Sequence, residues 1–161
     1  MAKVDNRKQN QLVWSLELIW WVVTLIFVFA IIYPIYTTLD NYPFYLINVV
    51  YIVVFITLAR YIFLLRYTIL ANNQTLKIIL VFLCIPLVFY LVQELNAFQT
   101  YIDEEGIDAL VGNLPFDQKD NMVNYIRSQM LLFGTGSIIC GVLFPFRMTI
   151  SVWRNRNRGT V

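Results

Sequence analysis

The stretch LIWWVVTLIFVFAIIYPIYTTL, residues 18–39, contains no charged side chain and is bounded by Glu17 and Asp40. About 20 consecutive apolar residues are enough for an α-helix to cross the hydrocarbon core of a bilayer. The stretch is too long and too aromatic for the apolar region of a cleaved signal peptide, and no small-residue cleavage site follows it. It is therefore predicted to be a retained transmembrane helix.

Three further apolar stretches follow, and each is long enough to seed a spanning helix. Turn-forming residues separate the first three stretches, at Asp40 to Pro43 and at Ala71 to Gln74. Because these connections are short, neighbouring helices are expected to run antiparallel. The sequence thus predicts an all-α membrane protein with four transmembrane helices, near residues 14–38, 43–66, 76–97 and 128–152.

Composition agrees with this class, since 59% of the residues are hydrophobic and only 14% are charged. Four spans of about 20 residues would use roughly half of a chain of 161 residues. The remainder is too short for a separate catalytic domain. We therefore predict one four-helix transmembrane domain over residues 1–161.

The distribution of Lys and Arg predicts the orientation. Cytoplasmic flanks of spanning helices carry an excess of these residues. Only Lys119 and Arg127 fall on the side of the segment 98–127. We therefore expect an inner-membrane protein with both termini in the cytoplasm and the segment 98–127 outside. The ten basic residues on the predicted cytoplasmic side are Lys3, Arg7, Lys8, Arg60, Arg66, Lys77, Arg147, Arg154, Arg156 and Arg158.

Three charged residues fall at comparable depth in the predicted inner leaflet: Glu17, Arg60 and Arg147. They predict an intramembrane ion cluster joining the first, second and fourth spans. A charge in hydrocarbon is costly unless it is paired or reaches the headgroups, so neutralisation of an arginine by Glu17 is one interpretation. The other makes Glu17 a titrating group in an ion or proton path.

The fourth span carries small residues at helical spacing, at Gly134, Ser137 and Gly141. Small residues on one face let another helix backbone approach closely, so they predict a helix-packing face. The sequence leaves open whether the partner helix belongs to this chain or to another subunit.

The predicted extracytoplasmic segment 98–127 is locally acidic, and no helix breaker occurs in it before Gly106. The third and fourth helices are therefore expected to extend beyond the outer leaflet. Between them, four apolar residues have the spacing of one helical face. This face either folds back onto the bundle or the membrane surface, or docks an extracytoplasmic partner. The four residues are Ile107, Leu110, Val111 and Leu114.

Residues that could carry chemistry are scarce. The chain has no histidine, and Cys84 and Cys140 lie inside apolar runs without metal-ligand spacing. No phosphate-binding loop, nucleophile elbow or metalloprotease motif is present. We therefore predict no catalytic residue, no cofactor and no metal. The basic tail WRNRNRGTV suits contact with anionic lipid better than nucleic-acid binding.

These features favour a small accessory or structural subunit of a larger inner-membrane complex, of the ion-driven motor, secretion or respiratory type. Its expected partners are other integral membrane subunits, lipid and an extracytoplasmic protein. Helix four and the segment 98–127 would be the docking surfaces. The alternative is a small oligomeric ion or solute transporter that uses Glu17, Arg60 and Arg147.

Overall fold

The computed structural model describes the backbone of residues 2–39, 41–71, 73–106, 108–112 and 114–157, and these residues form helices with no strand among them. Four of the helices contain a segment long and apolar enough to cross a membrane, namely Gln11–Thr38, Tyr45–Phe63, Gln74–Glu105 and Gln118–Asn157. The prediction of an all-α, multi-pass membrane protein is confirmed at this level. The helices are α1 (Ala2–Thr38), α2 (Tyr45–Phe63), α3 (Gln74–Glu105), α4 (Asp108–Val111) and α5 (Phe116–Asn157).

The second helix is shorter than the sequence predicted, because α2 ends at Phe63 and not near residue 66. The N–H of Leu64 still donates to the carbonyl of Arg60, at 2.7 Å. Two 3-10 turns then follow, Leu65–Tyr67 and Ile69–Ala71. The connection between α2 and α3 is therefore a compact helical linker and not a simple turn at residues 71–74.

Helices α3 and α5 contain the third and fourth predicted spans, at 76–97 and 128–152, and each helix is longer than its predicted span. Helix α3 continues to Glu105 and is ended by Gly106, whose positive φ of 79° glycine adopts without the steric cost of a Cβ atom. Helix α5 begins at Phe116, directly after Pro115, where proline is well tolerated because the first helical N–H groups lack partners. Backbone signals, and not hydropathy alone, decide these helix ends.

The core lies among α2, α3 and α5. Only 11% of the residues in the most apolar stretch of α1 are buried within the protein, compared with 39% for α5. Helix α1 is attached at intervals, and one attachment is the Tyr125 hydroxyl of α5, which donates to the carbonyl of Ile31 at 2.8 Å. Helix α1 is thus a peripheral helix on a three-helix core.

Candidate functional site

An ion pair joins α1 to α2. Nη1 of Arg60 lies 2.7 Å from Oε2 of Glu17, and both side chains are only 6% exposed. The other carboxylate oxygen, Oε1, accepts a hydrogen bond of 3.1 Å from the backbone N–H of Ile69 in the linker. A single carboxylate therefore ties α1 to α2 and to the linker between α2 and α3.

Two aromatic rings accompany the guanidinium of this pair. The Cζ atom of Arg60 lies 5.5 Å from the ring centroids of Trp20 and of Tyr61. Rings at this distance attract a cation through their quadrupole, and more strongly where water is excluded. The Nε and Nη2 atoms of Arg60 are buried without a hydrogen-bond partner among the described residues. Glu17 and the two rings thus supply the stabilisation that this buried cation receives.

Arg147 was predicted to join Glu17 and Arg60, but the structure gives it a different partner. Its Nε donates to the carbonyl of Ile62, at 3.1 Å. Ile62 lies in the last turn of α2, where backbone carbonyl groups have no N–H donor within the helix and can accept a hydrogen bond from a side chain. The structure therefore brings together Glu17 and Arg60, and places Arg147 at the C-terminal end of α2.

Arg147 lines a cavity of about 520 Å³ between the linker, the start of α3 and the end of α5. We call this cavity the basic pocket, because four of its lining residues are basic and none is acidic. It contains two further polar residues, Ser151 and Asn155. The basic pocket is defined by Leu65, Arg66, Ala71, Lys77, Arg147, Ser151, Arg154 and Asn155.

Lys77 is the most buried charged side chain of the basic pocket, with 1% of its surface exposed. Its Nζ donates to the carbonyl of Ala71 and to the hydroxyl of Ser151, both at 3.0 Å. In the sequence, Lys77 was counted only among the basic residues on the predicted cytoplasmic side. The signal it missed is a seven-residue spacing, since the buried residues of α3 include Lys77, Cys84, Leu91 and Phe98.

The small residues of α5 face helices of the same chain. A Cβ atom placed on Gly134 would lie 2.9 Å from Cδ1 of Leu95, and one placed on Gly141 would lie 2.6 Å from Cγ2 of Val88. Ser137 is fully buried and donates to the carbonyl of Gly134 at 2.8 Å. The helix-packing face predicted from the sequence is therefore covered by α3, and it is not free to receive another subunit.

A further glycine of α5 was missed in the sequence, although it lies two residues after Gly134. A Cβ atom on Gly136 would lie 2.8 Å from the ring of Phe55 in α2. Glycines on two faces of α5 thus allow both α2 and α3 to pack closely against it.

The apolar residues predicted to dock a partner also turn inward. Leu110 is 4% exposed and Val111 is 1% exposed, and both belong to the core cluster. Leu114 is partly buried against the same cluster, whereas Ile107 lies outside the described residues. Of the two interpretations left open, the described residues fit the one in which α4 folds back onto the bundle. They do not offer an exposed apolar face.

The structure describes few groups with catalytic or metal-binding potential. Cys84 and Cys140 are buried free thiols. Within the described residues, no three His, Cys, Asp or Glu side chains come together in a way that could hold a metal ion. Among the described residues, the Glu17–Arg60 pair and the basic pocket are two arrangements that contain buried charge.

No protein-family model matches the sequence, and no curated protein or solved structure shows significant similarity to it. The function must therefore be argued from the arrangement of the residues themselves.

Proposed function

We propose that this chain is a small structural or accessory subunit of a larger complex in the inner membrane, with both termini in the cytoplasm. Ten of the twelve Lys and Arg residues fall at one end of the predicted bundle, which supports this orientation through the positive-inside rule. In this topology, α1, α2, α3 and α5 cross in alternating directions. The end of α3 and the start of α5 then extend beyond the outer leaflet.

The observation that carries the proposal is the engagement of Glu17 at both of its oxygens. A carboxylate that moves protons or ions has to exchange partners during each cycle. Here, one oxygen pairs with Arg60 and the other accepts a hydrogen bond from the N–H of Ile69, so each cycle would break the contacts that join α1 to α2 and to the linker. The geometry supports a structural role for the intramembrane acid.

The packing also limits where partners bind. The glycine face of α5 is filled by α3, and Leu110 and Val111 are buried in the core. The proposal therefore places no partner on either surface. The proposed role remains that of a subunit whose partners are lipid and other membrane subunits. These partners would bind elsewhere than at the glycine face of α5 or at Leu110 and Val111.

A pair of variants tests the role of Glu17. Glu17→Gln leaves Arg60 without a counterion, whereas Glu17→Gln combined with Arg60→Gln replaces the ion pair with two neutral amides. We expect the single variant to lose stability and assembly, and the double variant to recover both, because the buried lone charge is removed. The size of the native complex is measured by native electrophoresis of membranes from the source cells, after extraction in mild detergent.

The matched control is Glu104→Gln, which removes an exposed acid at the end of α3 and should change nothing. Reconstituted vesicles with an entrapped pH dye supply the second measurement. If wild-type vesicles conduct protons or ions and both Glu17 variants abolish that flux, the chain is a transporter and the proposal is wrong. It is also wrong if the wild-type chain migrates only as a monomer or homo-oligomer.

A further inference from the structure

The basic pocket concentrates positive charge without a carboxylate to balance it. Arg66, Lys77, Arg147 and Arg154 line it, and no Asp or Glu among the described side chains does. Glu17 is an acid near this end of the bundle whose side chain the structure describes, and both of its oxygens are already engaged. Four like charges around one cavity repel each other, so an anion bound there is favoured.

Two of these cations are held in place by hydrogen bonds to the protein, and each has further N–H donors that these hydrogen bonds do not use. An ammonium group has three N–H donors, and Lys77 uses two of them, on Ala71 and Ser151. A guanidinium group has five, and Arg147 uses the one on Nε for the carbonyl of Ile62. These hydrogen bonds, two for Lys77 and one for Arg147, fix the positions of the side chains, and the remaining donors suit phosphate oxygens.

The burial of Lys77 shows that the site is built into the fold. A lysine that is 1% exposed normally has a counterion, because an unpaired buried charge is costly. Within the described chain, Lys77 has only neutral partners, a carbonyl and a hydroxyl. A bound anion in the adjoining cavity would supply the missing negative charge.

The surroundings of the basic pocket identify a lipid as the source of that anion. Ile150 is 50% exposed and lies one helical turn from both Arg147 and Arg154 on α5. Trp153, 65% exposed on the same helix, is the type of residue that marks the interface between lipid and water. An acyl chain could therefore lie on apolar helix surface while its headgroup enters the cavity.

We propose that the basic pocket binds the phosphate headgroup of an anionic phospholipid. Its volume of about 520 Å³ falls within the roughly 300–1,000 Å³ usual for ligand sites. Basic pockets between membrane helices on the cytoplasmic side are known to bind the headgroups of anionic lipids. The inference goes beyond the proposed role as a subunit, and it holds or fails independently of that role.

The test compares three probes on the purified full chain in mild detergent: phosphatidylglycerol, phosphatidylcholine with the same acyl chains, and inorganic pyrophosphate. Binding is measured by native mass spectrometry and by the shift in thermal unfolding. The wild-type chain should prefer phosphatidylglycerol to phosphatidylcholine by more than tenfold, and pyrophosphate, which has no acyl chain to lie on the helix surface, should displace the lipid only in large excess. Arg154→Gln and Arg147→Gln should each lower the affinity for phosphatidylglycerol by about fivefold.

Arg154 is exposed, so its substitution is not expected to impair folding. The Arg154→Gln variant therefore still decides the test if Arg147→Gln fails to fold. The matched control is Arg156→Gln, which removes an exposed charge from the same helix outside the basic pocket. The proposal is overturned if Arg154→Gln keeps the wild-type preference, or if Arg156→Gln loses it equally. It is also overturned if pyrophosphate displaces the lipid at equal concentration, which would identify a soluble phosphate as the ligand.

Discussion

The two ends of the helix bundle are held together by different interactions. The ionic end, defined by Glu17, Arg60, Lys77 and Arg147, relies on charges bound to carbonyls, a hydroxyl and one carboxylate. The aromatic end relies on rings: Phe44 lies edge-on to Phe98 at 5.2 Å and to Tyr101 at 5.3 Å. The aromatic end is defined by Tyr42, Phe44, Phe98 and Tyr101.

This difference shows where each end can interact with other molecules. The aromatic rings attract one another without a further partner, because edge-to-face packing places the positive edge of one ring on the negative face of another. Burial raises the pKa of the Tyr42 hydroxyl, so this group adds no negative charge to the aromatic end. The ionic end has more cations than acids, and it therefore has capacity to bind a ligand.

The largest expected effect comes from breaking the ionic end with Glu17→Ala. Arg60 would remain buried without its counterion, and the N–H of Ile69 would lose its acceptor. The free energy of unfolding should fall by about 3 kcal/mol, as measured by titration with a denaturing detergent. Hydrogen exchange should rise in the linker 65–71 but not in α4. If α4 loses protection to the same extent, the two ends are not independent.

A smaller effect is expected from Phe98→Leu at the aromatic end. Phe98 is 1% exposed and contacts Phe44 edge-to-face. Leucine keeps most of the apolar volume but lacks the ring contact, so unfolding should become about 1.5 kcal/mol easier. Hydrogen exchange should now rise around α4 while the linker 65–71 stays protected. An unchanged stability would show that the ring contact contributes nothing.

The smallest effect tests the glycine face between the two ends. Gly141→Ala gains about 1 kcal/mol of helix propensity, but its Cβ would lie 2.6 Å from Val88. Valine is β-branched and has one preferred rotamer in a helix, so it cannot easily move away. The steric cost of about 2 kcal/mol should win, with a net loss of about 1 kcal/mol.

The control for this prediction is the same substitution in a Val88→Ala background. Without the valine methyl groups, Gly141→Ala should become stabilising, because only the gain in helix propensity remains. If Gly141→Ala destabilises both backgrounds equally, the close contact between α3 and α5 is not at Val88.

The sequence by itself determined that the chain forms four helices able to span a membrane. Continuous apolar runs of this length favour helices in lipid, because a helix pairs each backbone N–H and carbonyl within its own segment. The end of α3 was also visible, in Gly106. The early end of α2 was not visible, since residues 64–71 carry no helix breaker and only the hydrogen bonds of the linker end the helix there.

Only the tertiary structure decided which side chains meet. The sequence gives the angular spacing of residues around one helix, but not the rotation of that helix relative to its neighbours, which depends on packing. Residues at equal depth were therefore expected to form one cluster, whereas the structure pairs Glu17 with Arg60 and turns Arg147 toward Ile62. The same rotation places Lys77 inside the protein and creates the basic pocket.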